Sequence, residues 1–392
     1  MVRANAEGEA LTGAPVAVTA THERSEGRTV AVFPRFAPAA ALRYHVERRT
    51  AMPTTPATRI FHDADADPAA LAGKTVAVIG YGNQGRSQAL NVRDSGLATI
   101  VGNRDDDYAA QARADGFAVL PIGDACARAD VIALLVPDEV MPAVYAESVR
   151  PHLRAGTVLD FASGYNVAFG LIEAPNDVDV VLIAPRMIGP GVRDAYLSRK
   201  GFPSFIALHQ DASGTGMARL LALARAVGST RAGCILMSMH DEATLDLFTE
   251  QAFGPAFGRV FMSAVETLVG AGYPPEAVLL ELYLSGELAY AFEKIRQVGM
   301  MRQMDFHSHT SQYGSLTRSA RFMDLDLEPR MATILREIQD GTFAREWSGA
   351  GPQAAEMLAR VKEVRDRLPL TEWEERARRA FRIGDAGPQQ RR

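Results

Sequence analysis

LAGKTVAVIGYGNQGRSQALNVRDSG, residues 71–96, is the stretch that decides the fold. Its apolar run TVAVIG is bounded by turn residues, as expected for a buried parallel strand. The run leads into Gly80, Gly82 and Gly85, spaced GxGxxG. In such a turn the first glycine permits the tight bend, the second lets a pyrophosphate approach the backbone, and the third lets helix pack on strand. SQALNVRDSG then repeats apolar positions at helical spacing and stops at Ser95 and Gly96. GxGxxG alone also occurs as a structural turn. Strand, turn and helix in this order predict a dinucleotide site formed by Gly80, Tyr81, Gly82, Asn83, Gln84 and Gly85.

Working outward, a second apolar run, ATIVGN, ends in RDDDY, which places Asp105, Asp106 and Asp107 about 20 residues beyond the last glycine, where an adenosine ribose is met. A carboxylate there accepts from a 2′-hydroxyl and repels a 2′-phosphate. Asp105 and Asp107 therefore predict NADH over NADPH, against Arg104, which suits a phosphate; the plain alternative is a solvated acidic turn. FAVLP, VIALLVPDEV, TVLDFASG and DVVLIAP continue the alternation of strand and helix, the period of a doubly wound parallel sheet. After about residue 207 the pattern becomes helical, with apolar stripes at i, i+3, i+4 and i+7 in TGMARLLALARAVG, EATLDLFTEQAFGPAFGRVFMSAVETLVGAG and PEAVLLELYLSGELAYAFEKIRQVG. The predicted organisation is a flexible extension over 1–56, a Rossmann domain over 57–235 and a helical domain over 236–385.

Composition narrows the function. A chain of 392 residues, 47% apolar, suffices for two cores. Its 42 basic and 47 acidic residues give a net charge of −5, and without a basic run this disfavours nucleic acid as a partner. Cys126 and Cys234 lie far apart and outside any zinc-ligand spacing, which suits a reducing cytoplasm. No stretch reads as a membrane span or a secretory signal.

RIFHDADADPAALAGKTVAVIGYGNQGRSQALNVRDSG closely resembles the opening of ketol-acid reductoisomerases. The resemblance runs from about residue 57 to 347 through PDEV (137–140), FASGYNV (161–167), VDVVLIAP (178–185), DLFTEQ (246–251), ETLVGAGYPPE (266–276), YGSLTR (313–318) and EIQDGTFAREW (337–347). It implies an α/β N-terminal Rossmann domain followed by an all-α, knotted C-terminal domain, a homodimer, a small-molecule substrate and a pair of magnesium ions. The family reaction is a metal-dependent alkyl migration in a 2-hydroxy-2-alkyl-3-oxo acid, followed by hydride reduction. Pro137 and Asp138 join the implied cofactor set. Asp246 and Glu250 match magnesium ligands, and their i, i+4 spacing places both carboxylates on one helix face. Glu281 matches a third ligand.

Several positions depart from the family pattern. The fourth carboxylate, four residues beyond the third, falls on Ser285. Glu287 would lie about 200° round a regular helix from that position, so it replaces Ser285 only if the helix is distorted. Ser163 stands where the family has a histidine, and Arg186 where it has a lysine; arginine remains charged but can clamp a carboxylate. Gln312 replaces a glutamate, and His307 and His309 are added. Ser308 aligns, with a shift, with the family's carboxylate-binding serine. Arg186, Ser163 and Glu281 are thus the catalytic candidates, and Ser308 the substrate-binding one. Since hydride transfer needs fewer groups than alkyl migration, these changes predict an NAD(P)H-dependent reductase of a small 2-oxo acid or related carbonyl or imine, with isomerisation weakened or lost. A competent ketol-acid reductoisomerase and a catalytically silent dinucleotide-binding regulator are the alternatives.

Overall fold

The computed structural model describes residues 58–384, apart from residue 323. The extension expected over 1–56 lies outside the described residues. Among the described residues nine strands form one sheet in the order β1-β9-β8-β7-β6-β5-β2-β3-β4. They are β1 (Ile60–Phe61), β2 (Thr75–Ile79), β3 (Ala98–Gly102), β4 (Val119–Leu120), β5 (Val131–Leu134), β6 (Val158–Phe161), β7 (Asp179–Pro185), β8 (Ser204–Gln210) and β9 (Cys234–Leu236). From β4 to β7 every neighbour is parallel. Helices cover both faces, which explains why the central strands read as unbroken apolar runs. β5 is buried throughout, as is β7, whose Asp179 is held by Arg219 at 3.3 Å and by the Ser213 hydroxyl at 2.7 Å.

The parallel order expected from the alternation of strand and helix does not extend to one side of the sheet. β8 runs antiparallel to β7, and β1 antiparallel to β9. Helix α1 (Asn83–Asp94) packs against α2 (Gly189–Leu197). The left-handed Arg199 and Gly201, with φ of 60° and 66°, then turn the chain so that β8 starts beside the end of β7. The switch from alternation to helix also comes later than residue 207. Helix α3 (Gly216–Val227) is a buried crossover between β8 and β9 and belongs to the sheet layer.

The helical half begins with α4 (Met239–Phe248) and continues through α5 (Gly254–Gly270), α6 (Pro275–Leu279), α7 (Glu287–Val298), α8 (His309–Ser319), α9 (Glu328–Gln339), α10 (Thr342–Asp366) and α11 (Pro369–Ala380). Two widened π turns interrupt it, Thr249–Phe253 and Leu280–Leu284. The VLLELYL stripe packs inward: Val278 and Leu279 are buried with Val265, against Tyr283, Leu370 and Trp373. Exposed apolar side chains lie elsewhere, on α5 (Phe253 just before it, Phe257, Val260) and α7 (Tyr290, Phe292), and on Met300, Met301 and Phe306. No helix among the described residues is long and apolar enough to cross a membrane. Both thiols are buried, and burial pushes Cys126 and Cys234 up to about 12, so neither is poised to react.

Candidate active site at the strand ends

β2, β5, β6 and β7 are parallel neighbours, so the loops leaving their C-terminal ends emerge on one side of the sheet. Ligands of open α/β sheets bind at such ends, near the point where strand order reverses, here between β2 and β5. The four loops carry the glycine turn, Pro137 with Asp138, Ser163, and Arg186 in turn.

The three glycines of the turn meet different constraints. Gly80 has φ of 91°, and a Cβ there would lie 2.9 Å from the Leu135 carbonyl oxygen. A Cβ on Gly85 would fall 2.0 Å from the Gly80 carbonyl oxygen. At Gly82 a Cβ would meet nothing within 4 Å, leaving open space at the start of α1 where backbone N–H groups favour an anion. Gln84 donates to the Met187 carbonyl at 3.0 Å, and Gly189 packs against the Asn83 carbonyl, so the first and last of these loops support each other. Tyr81 turns inward: it is 1% exposed, sets its ring edge-on to Phe117 and donates to Asp115 at 2.9 Å. Its backbone, and not its ring, belongs to the turn.

Beyond β3 the three aspartates divide their tasks. Asp106 caps the helix Asp107–Ala114 by accepting from the N–H groups of Tyr108 and Ala109, and it pairs with Arg104 at 2.7 Å. The Arg104 hydrogen bond leads the effects that hold the Asp106 carboxyl below its ordinary range. Asp107 begins the helix. Asp105 stays exposed, with Arg113 3.2 Å away.

A cluster of charged side chains is built around Arg186. Its Nη2 donates to Glu242 at 2.8 Å and its Nη1 to Asp246 at 2.7 Å, while the guanidinium lies 4.7 Å from the Phe205 ring centroid. Glu242 is fully buried, and its second oxygen accepts from the Gly164 N–H at 2.7 Å. The β6 loop, the β7 loop and α4 therefore meet at one carboxylate. Burial pushes Glu242 up to about 7 despite the opposing arginine. Asp138, held by Asn166 at 3.1 Å, is pushed up to about 6 by burial and then by the negative charges of Glu139 and Asp246. Glu250 is raised as well, by burial and then by Asp246. Their oxygens have the donor chemistry that magnesium takes, but within one chain the described residues do not gather three of them into a site, and Arg186 already engages Glu242 and Asp246.

Sequence reading did not single out Glu242, although acids at 242, 246 and 250 repeat at i+4 and signal one helix face. Three other candidates are described by their local contacts and exposure. Ser163 accepts from the Tyr165 N–H at 3.3 Å. Ser308 is exposed, and its hydroxyl accepts from the Ser311 N–H at 3.2 Å at the start of α8. Glu281 is exposed in its π turn, and no group of three acid, histidine or cysteine side chains arranged for a metal forms among the described residues of one chain.

Comparison with known proteins bears on the family. Residues 70–233 match the family model for the acetohydroxy acid isomeroreductase NADPH-binding domain, and residues 239–382 match that for the ketol-acid reductoisomerase C-terminal domain. The chain is 41% identical to a ketol-acid reductoisomerase (NADP(+)) of Pyrobaculum arsenaticum, over 78% of this chain and 94% of that protein. It is 40% identical to one from Methanopyrus kandleri, over 83% of this chain and 99% of that protein. An NADH-preferring ketol-acid reductoisomerase from an uncultured archean superposes with a TM-score of 0.78 at 33% identity, covering 82% of this chain and 98% of that one. A dinucleotide turn at a parallel strand end, acids repeating along α4 and both domain matches lead to one assignment: the chain belongs to the ketol-acid reductoisomerase family and is an NAD(P)-dependent oxidoreductase.

Proposed function

We propose that the protein reduces a small 2-oxo acid or a related carbonyl or imine with NADH in preference to NADPH, and that alkyl migration is weakened or lost. The observation carrying this reading is the position of Arg186, tied to both Glu242 and Asp246. A guanidinium keeps its charge at any working pH, so it lowers the pull of Asp246 on a second dication beside it. Its planar fork also suits a substrate carboxylate or the oxygen of a carbonyl. Ser163, in the family's histidine place, has a hydroxyl that does not take up a proton at neutral pH, which removes a base useful for migration. Bound nicotinamide would supply hydride, and magnesium a Lewis acid at the carbonyl oxygen.

Gly80, Gly82 and Gly85, with the backbone of Tyr81, Asn83 and Gln84, would hold the pyrophosphate, and Pro137 and Asp138 would flank the nicotinamide end. Exposed Asp105 supports NADH, since a 2′-phosphate would be repelled there; Arg104 is engaged by Asp106, and Asp107 adds negative charge nearby. Asp246 and Glu250 would hold magnesium. Glu281 does not join them within one chain, so a second copy would supply it, through the exposed apolar side chains of α5 and α7. A homodimer in a reducing cytoplasm is the form this implies, with Ser308 at the substrate's edge.

The full reductoisomerase reaction is the second reading, favoured by the names of the relatives at 40 and 41% identity. Following NADH and NADPH oxidation with 2-acetolactate and with 3-hydroxy-3-methyl-2-oxobutanoate, with and without magnesium, separates the two. Turnover of only the rearranged acid is the expected result. Equal turnover of both would establish the full reaction, and silence on both would overturn the substrate class.

A further inference from the structure

We propose that a cavity lined by Arg199 and Arg231, at the far ends of α1 and α2 from the glycine turn, binds a small oxyanion, a carboxylate or a phosphate. The cavity holds about 710 Å³, and Asp63, Asp94, Tyr196 and Leu197 complete its lining. Helices α1 and α2 start side by side at the glycine turn, where Gly189 packs against Asn83, and they finish at this cavity with Asp94 and Leu197. The 12 residues of α1 span about 18 Å, so an ion held here does not touch the cofactor turn. The inference is independent of the substrate and magnesium readings above.

The acids at the cavity are already engaged. Asp94 accepts from Arg193 at 2.5 Å and from Arg93 at 3.1 Å, and Asp63 accepts from the Thr230 hydroxyl at 2.5 Å. The two arginines have no carboxylate. Arg231 sets its guanidinium 4.4 Å from the Tyr196 ring centroid and donates to the Tyr196 carbonyl at 2.9 Å, contacts that leave its charge unneutralised. The exposed side chain of Arg199 has no hydrogen bond or ion pair among the described residues. Two such guanidiniums in one cavity make a positive site, and the planar fork of each matches the oxygens of a carboxylate or a phosphate.

One carbonyl places both arginines. The Tyr196 oxygen accepts from the Arg199 N–H at 3.0 Å as well as from the Arg231 guanidinium. Gly201 closes the turn onto Arg231, since a Cβ there would fall 2.6 Å from the Arg231 Cβ. Tyr196 is anchored in turn, its hydroxyl sharing a hydrogen bond of 2.8 Å with Ser95 at the end of α1. Arg199 itself is held at φ of 60°, and Arg382 is the one other non-glycine residue with positive φ among the described residues. A side chain in that conformation is strained where glycine would not be. An unpartnered arginine kept at a strained position beside a cavity is the kind of outlier from which a function is inferred.

The test is calorimetric titration of the full chain with inorganic phosphate and, separately, with succinate. The chain is first saturated with NADH or NADPH, so that the glycine turn is filled and does not compete for the anion. Binding of phosphate, of succinate or of both supports the site and says which oxyanion it takes. Arg199→Gly should weaken that binding at least about tenfold, whereas Arg360→Ala, an exposed arginine paired with Glu356, should stay within about twofold of wild type. Glycine relieves the positive φ, so without the anion Arg199→Gly should unfold at or above the wild-type midpoint. The anion should then raise the midpoint of wild type and not that of the variant. Binding of neither probe overturns the proposal, as does wild-type affinity in Arg199→Gly or an equal loss in Arg360→Ala. An Arg199→Gly chain that unfolds well below wild type assigns the arginine to the fold and overturns the proposal too.

Discussion

Replacing Glu242 by Gln should flatten the pH dependence of stability. In the folded chain the Glu242 carboxyl is pushed from 4.5 to about 7, chiefly by burial. A group that holds its proton more tightly when folded stabilises the fold below its unfolded value and loses that contribution as pH rises to the folded value. The displacement corresponds to about 3 kcal/mol, lost between about pH 4.5 and 7 and constant above. Glutamine carries no such term. It does present an NH2 group to either Arg186 or the Gly164 N–H, both donors, leaving a buried donor unpaired at a cost of about 1–3 kcal/mol. The variant should therefore be less stable than wild type near pH 5 and should equal or exceed it at pH 8. Urea unfolding in the presence of a chelator, repeated across that range, measures the difference. Parallel stability curves for the two proteins would refute the assignment of a strained, buried carboxylate to this position.

Two glycine substitutions separate folding from binding. Gly85→Ala places a methyl 2.0 Å from the Gly80 carbonyl oxygen and should lower the unfolding midpoint, whereas Gly82→Ala, with open space around it, should leave that midpoint in place and weaken NADH by about tenfold or more in a fluorescence titration. Asp105→Asn removes the exposed carboxylate at the ribose end and should bring the kcat/KM values for NADH and NADPH closer together by about tenfold; an unchanged ratio would exclude Asp105 from specificity. Arg186→Lys keeps the charge but loses the planar fork that spans Glu242 and Asp246, so KM for the 2-oxo acid should rise on the order of tenfold. A steady-state assay showing wild-type KM would remove Arg186 from the substrate site.

The parts of the site carried by strands were legible in the sequence because a parallel sheet fixes where its strand ends lie. Once TVAVI, VIAL, VLDF and DVVLIAP are strands, Gly80, Asp138, Ser163 and Arg186 must emerge on the same side, whatever the intervening helices do. Individual roles inside that region were less legible. Tyr81 lies within the glycine turn yet points into the core, since Asp115 and Phe117, more than 30 residues on, draw it inward. The antiparallel direction of β8 follows a turn through the left-handed Arg199 and Gly201, which no local period records. The helical half presents a stricter limit. Each residue on an α-helix turns by about 100°, so a π turn or one left-handed glycine rotates everything after it to a new face. The acids at 242 and 246 precede both π turns, which is why their i+4 spacing translates into a shared guanidinium. Glu281 lies within one, and Glu287 beyond both that turn and Gly286. Counting four residues from Glu281 reaches Ser285, but that count presumes a regular helix, and this chain interrupts it with the π turn and Gly286, so residue spacing alone does not say which side chains share a face here.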